Sequence, residues 1–150
     1  MMLAIAIALA AKVHEEQKDK AGKPYILHPI RVMMRLRTEN SELNQVAILH
    51  DVIEDGDVTY ETLGRMGFSE AVINTLRLLT HDRGISYENY IERMRGDYYA
   101  LLVKREDLRD NSDITRLRGV SDKDVARMKK YHLAFMRVEE LLSEFTPNRR

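Results

Sequence analysis

Apolar residues recur along this chain at the 3.6-residue spacing of helices, and no stretch alternates apolar and polar positions for long enough to make a strand. A first helix is expected over residues 3–17, where Leu, Ala and Ile dominate. The polar segment KDKAGKPY follows at 18–25, with Gly22 and Pro24 as breakers. Pro29, just after His28, suits the first turn of a second helix that carries Val32, Met33 and Leu36 inward. Ser41 is placed to cap a third helix holding Leu43, Val46, Ala47, Ile48, Leu49, Val52 and Ile53. That helix is apolar nearly all round, the mark of a buried centre, and Gly56 and Asp57 end it.

Further helices are expected from Asp57 or Thr59 through Met66, from Ser69 through Leu79, and from Ser86 through Met94, with Gly67 as a stop. Another runs from about Asp97 to Asn111. Ser121, with Asp124 three residues on, resembles a capping box for a last helix reaching Phe145. In that helix Val125, Met128, Leu133, Met136, Val138, Leu141 and Leu142 recur at helical spacing. The tail TPNRR at 146–150 is expected to fray. No repeat or linker divides the chain, so the expected fold is all-α, one compact helical bundle over residues 1–150.

Composition narrows the function classes. The chain has 150 residues and no cysteine, which excludes disulfides, zinc-thiolate sites and cysteine nucleophiles and suits a reducing cytoplasm. Lys+Arg and Asp+Glu are both 24, so the basic excess of a nucleic-acid binder is missing. The apolar start is shorter than the ~20 residues that cross a bilayer, lacks a basic leader, and is read as a buried first helix rather than a signal peptide. Neither nucleic acid nor membrane is an expected partner, and the sequence sets no oligomeric state.

The candidate chemistry sits at His50-Asp51-Val52-Ile53-Glu54-Asp55, where the most apolar helix ends. Ionisable groups are seldom buried unless they pair or bind metal, so four together at the end of a core helix call for a cation. On a continuous helix Glu54 and Asp55 lie one turn beyond His50 and Asp51 on the same side. A solvated polar helix end would also account for HDVIED, although two acids at a helix C-terminus oppose the macrodipole. His28 stands at a loop-to-helix junction, and Lys104, Asp107 and Asn111 share one helix face at i, i+3, i+7. Alone, the last segment reads as a salt-bridged surface helix.

Three runs together resemble the HD superfamily. They are His14 to Gln17 with Lys20, Gly22, Pro24, Tyr25, His28 and Pro29; then Ile48 to Asp55; then Lys104 to Asn111. The likeness is strongest to the hydrolase domain of RelA/SpoT-type alarmone enzymes and their small stand-alone relatives. It implies an all-helical HD-type domain, a small phosphorylated nucleotide as substrate, and a divalent metal, usually Mn²⁺. It implies His28, His50, Asp51 and Asp107 as metal ligands. Glu54 and Asp55 fall on the acidic pair that orients or deprotonates the attacking water, Lys20 on a basic residue near the base or phosphates, and Asn111 on a contact to the nucleotide sugar. Independently of the resemblance, Lys104 is a candidate to neutralise phosphate charge, as are Lys18, Lys20, Lys23 and Arg31.

The sequence departs from that pattern at Asp19, where the alarmone hydrolases carry an Arg that packs on guanine, and at Arg105, Glu106 and Asp110. A carboxylate does not stack as a guanidinium does. The reading is therefore a metal-dependent phosphohydrolase on a nucleotide-like phosphate ester or pyrophosphate, with no implied base preference. A nucleotide or cofactor phosphatase, and a nucleotide sensor without catalysis, are the alternatives. His81 and His132 lack acidic partners at matching spacing and read as structural or surface residues; His14 reads as a cap or packing residue of the first loop.

Overall fold

The chain is described from a computed structural model over residues 1–145; the expected frayed tail at 146–150 lies outside the described residues. Among these residues there are nine α-helices and no strand: α1 (Met2–Val13), α2 (Leu27–Leu36), α3 (Ser41–Leu49), α4 (Val52–Asp55), α5 (Tyr60–Arg65), α6 (Glu70–Leu79), α7 (Tyr87–Glu92), α8 (Tyr98–Asn111) and α9 (Asp122–Ser143). A 3₁₀ turn (Ile114–Arg116) joins the last two. None of the helices is long and apolar enough to cross a membrane. The all-α expectation holds.

α3 is the centre, as its apolar pattern implies. It packs against α1, α2, α6 and α8, and Val46, Ala47, Ile48 and Leu49 are wholly buried. Its cap is Asn40, whose side chain accepts from the Leu43 amide, and not Ser41, whose hydroxyl instead accepts from Gln45. Thr59, Ser69, Ser86 and Asp97 cap α5 to α8 with side-chain hydrogen bonds, and Ser121 and Asp124 form a reciprocal capping box at α9.

The main difference from expectation is a break. The third helix does not continue through Ile53: α3 stops at Leu49, His50 and Asp51 form a turn, and α4 restarts at Val52. The turn brings α4 against α1 at Gly56, where an added Cβ would lie 2.8 Å from Val13. α8 differs in another way. It is no surface helix: Lys104, Glu106, Asp107 and Asp110 are all buried along with Leu101, Val103 and Leu108. Of the apolar positions of α9, Val138, Leu141 and Leu142 are buried, whereas Val125, Leu133 and Met136 are exposed.

Leu101 is wholly buried at the level where α8 meets the core. Leu101→Ala is expected to cost about 2–5 kcal/mol, read from urea denaturation. A loss below about 1 kcal/mol would show that α8 is held by its ion pairs rather than by its apolar face.

Candidate metal centre

Three separate segments deliver four side chains to one point. His28 comes from the first turn of α2, His50 and Asp51 from the α3–α4 turn, and Asp107 from the middle of α8. The Nε2 atoms of His28 and His50 lie 3.2 Å apart. Asp107 Oδ1 is 3.2 Å from His28 Nε2 and 3.8 Å from His50 Nε2. Asp51 Oδ2 is 3.1 Å from His50 Nε2 and 3.6 Å from His28 Nε2. The break after Leu49 makes this possible, because it turns Asp51 toward the imidazole beside it.

The remaining atoms of each group are already engaged. His28 Nδ1 is 2.8 Å from Asp110 Oδ2, and His50 Nδ1 is 2.7 Å from the Ala47 carbonyl. A proton on each Nδ1 satisfies both contacts and leaves each Nε2 with its lone pair facing the centre. Tyr25 donates its hydroxyl to Asp51 at 2.6 Å. Lys104 holds Asp107 Oδ2 at 2.8 Å, and Asn111 donates to Asp107 Oδ1 at 2.5 Å.

The electrostatics ask for positive charge. Burial disfavours charged imidazoles, yet Asp107, Asp110 and Asp51 outweigh it and raise His28 and His50 above their ordinary value. Burial also disfavours ionised Asp51 and Asp107, but His50 and Lys104 hold both carboxyls low. His28, His50 and Asp107 each offer one ligand atom within 4.8 Å of the others, enough to hold a metal ion. Imidazole and carboxylate donors together suit a borderline divalent ion.

Behind His28 stands Asp110, wholly buried. Arg31 grips it with Nε at 2.7 Å and Nη2 at 2.9 Å, and Arg116 Nη1 adds a third contact at 2.7 Å. Burial would raise its carboxyl, but His28 and Arg31 hold it well below the usual range. Arg116 Nη2 then reaches Asp19 at 2.8 Å, while the other Asp19 oxygen accepts from the Ala21 and Lys23 amides at 2.9 Å. Asp19 and Asp110, read from sequence only as departures from a pattern, thus organise the first loop and the His28 ring. Arg105 and Glu106 pair at 2.8 Å, and Arg109 joins Glu106 at 2.9 Å.

Two recesses flank the centre and share Tyr25, Asn111 and Tyr131. One, of about 230 Å³, brings Glu54, Lys104 and Lys130 to His50, Asp51 and Asp107. The other, of about 320 Å³, sets Lys18, Lys20, Arg116 and Arg127 on the side of His28. Glu54 accepts from the His81 amide, and burial, with the Asp51 charge, pushes its carboxyl above the usual value.

Asp55 is not brought to the recesses, contrary to its expected pairing with Glu54. Its Oδ2 accepts from Gln17 at 3.0 Å, 3.9 Å from buried His14, because the break rotates α4 relative to α3. His14 packs on the Tyr25 ring at 4.9 Å between centroids. Sequence reasoning missed Tyr25, His81, Arg127, Lys130 and Tyr131 as pocket residues. Arg127, Lys130 and Tyr131 carried a faint signal, a polar face at helical spacing within the apolar pattern of α9. His132 is exposed, as expected of a surface residue.

An all-helical fold with two imidazoles and two carboxylates at one buried point is the arrangement expected of an HD-type hydrolase. The chain resembles the (p)ppGpp hydrolases of that type, as the comparisons show. It is 35% identical over 116 residues to a guanosine-3′,5′-bis(diphosphate) 3′-pyrophosphohydrolase of Aquifex aeolicus, covering 71% of this chain and 16% of the relative. It is 38% identical over 85 residues to a guanosine-3′,5′-bis(diphosphate) 3′-pyrophosphohydrolase of Danio rerio, covering 53% of this chain and 47% of the relative. The chain therefore spans less than half the length of either. A solved structure described as a metazoan ortholog of SpoT that hydrolyzes ppGpp shares the fold, with a TM-score of 0.75 and 21% identity over 95% of this chain and 92% of that one. No family model matches the chain.

The Asp110 contact generates a test. Asp110→Asn keeps the size of the side chain but removes the charge that fixes the His28 tautomer. Metal affinity, measured by calorimetric titration with Mn²⁺, is expected to fall about 10–100-fold. Unchanged affinity would show that Asp110 serves only Arg31 and Arg116.

Proposed function

We propose that the chain is a metal-dependent phosphohydrolase that removes pyrophosphate from a nucleotide phosphorylated on both sides of its ribose, of the guanosine-3′,5′-bis(diphosphate) kind, in the cytoplasm. One observation carries this reading: a buried point where His28, His50, Asp51 and Asp107 converge, flanked on both sides by recesses lined with cations. A ligand with anionic groups at both ends matches lysines at one end and lysines with arginines at the other. The named activity of the relatives agrees with it.

His28, His50, Asp51 and Asp107 would hold the cation, and Mn²⁺ is the ion proposed. When bound, a divalent cation there supplies Lewis acidity toward a phosphoryl oxygen and toward the attacking water. Glu54 takes the water proton, burial and the Asp51 charge having made its carboxylate a stronger base than an exposed one. Lys130 and Lys104 offset phosphate charge in the smaller recess, Lys104 while also steadying Asp107. Lys20 and Asn111 line the larger recess, where the nucleoside and its second phosphate group would lie. Asp55 acts through Gln17 on the position of α4 rather than on water.

Asp19 bears on the base. Its carboxylate is committed to Arg116 and to two loop amides, so it presents no cation to a purine face. This keeps a second reading in play, a nucleotide or cofactor phosphatase on the same scaffold. The two differ in what is released, pyrophosphate or orthophosphate.

A panel of nucleotides with Mn²⁺, assayed for both products, tests the reading. Pyrophosphate from a 3′,5′-bis(diphosphate) nucleotide is the expected result; orthophosphate alone would support the second reading, and no turnover with tight nucleotide binding would support a sensor. Glu54→Gln is expected to spare the metal and lower turnover about 10²–10⁴-fold, whereas Asp51→Ala is expected to abolish both. Full activity in Glu54→Gln would remove Glu54 as the base.

A further inference from the structure

One face of α9 is left uncovered, and its pattern is regular. Ala126, Lys129, Leu133, Met136, Glu140 and Ser143 are all exposed. They follow one another at alternating steps of three and four residues, the spacing of a helix seam that meets another helix. Leu133 is 61% exposed and Met136 48%, at the middle of a 22-residue helix. Most of the other exposed apolar side chains of the fold stand singly, and those are ordinary.

The seam is complementary to its own reverse. Reflected about the point between Ala134 and Phe135, Leu133 falls on Met136, Lys129 on Glu140, and small Ala126 on small Ser143. The first half of α9 carries Lys123, Arg127, Lys129 and Lys130 beside Asp122 and Asp124, and the second half carries Glu139 and Glu140 beside Arg137, which reaches the exposed Glu140 at 2.7 Å. Lys129 makes no ion pair among the described residues. Beside the seam, between α7 and α9, runs a groove of about 440 Å³ walled by Tyr87, Ile91, Lys129 and Leu133.

We propose that this face joins the chain to a second copy of itself, in a twofold dimer with the two α9 helices antiparallel. A twofold axis requires a self-complementary patch, in which residue i meets j and j meets i, and the reflected seam meets that requirement. Leu133 packs on Met136 of the partner subunit, and Lys129 pairs with Glu140 of the partner subunit. The apolar groove receives the side chain that crosses the axis. A different protein on this face would have no reason to match the reflection.

Sedimentation velocity of the whole chain over a micromolar range reads the outcome. A species of twice 17.5 kDa is expected. Leu133→Glu is expected to give monomer with unchanged helicity, because the side chain is exposed in the single chain. Lys129→Glu and Glu140→Lys, each alone, set like charges against each other and should weaken the dimer about tenfold or more. The double reversal restores opposite charges at both symmetry-related contacts and should recover the dimer. A monomeric wild-type chain, or a double reversal no tighter than the single variants, overturns the proposal. Asp51→Ala should dimerise as the wild type does, so the result is independent of the assignment of the metal centre.

Discussion

Two imidazole nitrogens lie 3.2 Å apart, and with the proton of each ring on Nδ1 their lone pairs face one another and repel unless something positive lies between or beside them. The fold imposes this approach. His28 is aimed by Asp110 and His50 by the carbonyl of its own helix, so neither ring can turn away without breaking a buried hydrogen bond. Two carboxylates close the other sides. A cation offsets all four groups at once, and helices from distant parts of the chain must dock correctly before the four meet. The metal centre is therefore a test of the whole packing arrangement, not a local feature of one helix.

Asp110 shows how that arrangement is held. A wholly buried carboxylate is costly, and here the guanidiniums of Arg31, Arg116 and, at 3.5 Å, Arg35 compensate it together with an imidazole. The compensation also links parts that act on substrate. Arg116 bonds to Asp110 on one side and to Asp19 on the other, and Asp19 fastens the loop that supplies Lys18 and Lys20 to the larger recess. The wall of the larger recess and the orientation of His28 thus share one bolt. The carboxylate at position 19 makes this connection, a physical reason for an acidic residue there.

His50 and Asp51 were legible as candidates because each is an ionisable residue where the apolar pattern predicts burial, at the end of the central helix, whereas His28 and Asp107 stood out only through the resemblance. The capping residues of α5 to α9 were legible for the same kind of reason, since a Ser, Thr or Asp before an apolar run has one main use. The break after Leu49 was not legible. No glycine or proline marks it, and the apolar pattern runs on through Val52 and Ile53 without interruption. That single error carried Asp55 to the wrong side, because the one-turn argument holds only on an unbroken helix. α8 misled in the opposite direction, as its density of charge resembles a solvated face until one sees that Asp110 and Glu106 find their partners inside the fold. Tyr25 showed only as a member of the resembling run and Tyr131 only faintly, since a tyrosine beside apolar residues looks like core.

α9 draws these threads together. Its second half is anchored by Val138, Leu141 and Leu142 in the core, while its first half carries Arg127, Lys130 and Tyr131 to the recesses with little apolar burial of its own. Helical stability in proteins comes mainly from packing of an apolar face rather than from propensity. The apolar residues of the middle of this helix, Leu133 and Met136, point instead to solvent in the single chain. A second α9 against them would supply the missing packing along the segment that positions the substrate-facing side chains. The exposed seam and the poorly buried pocket residues then have one cause: a helix that serves the site on its inner side and completes its packing on its outer side.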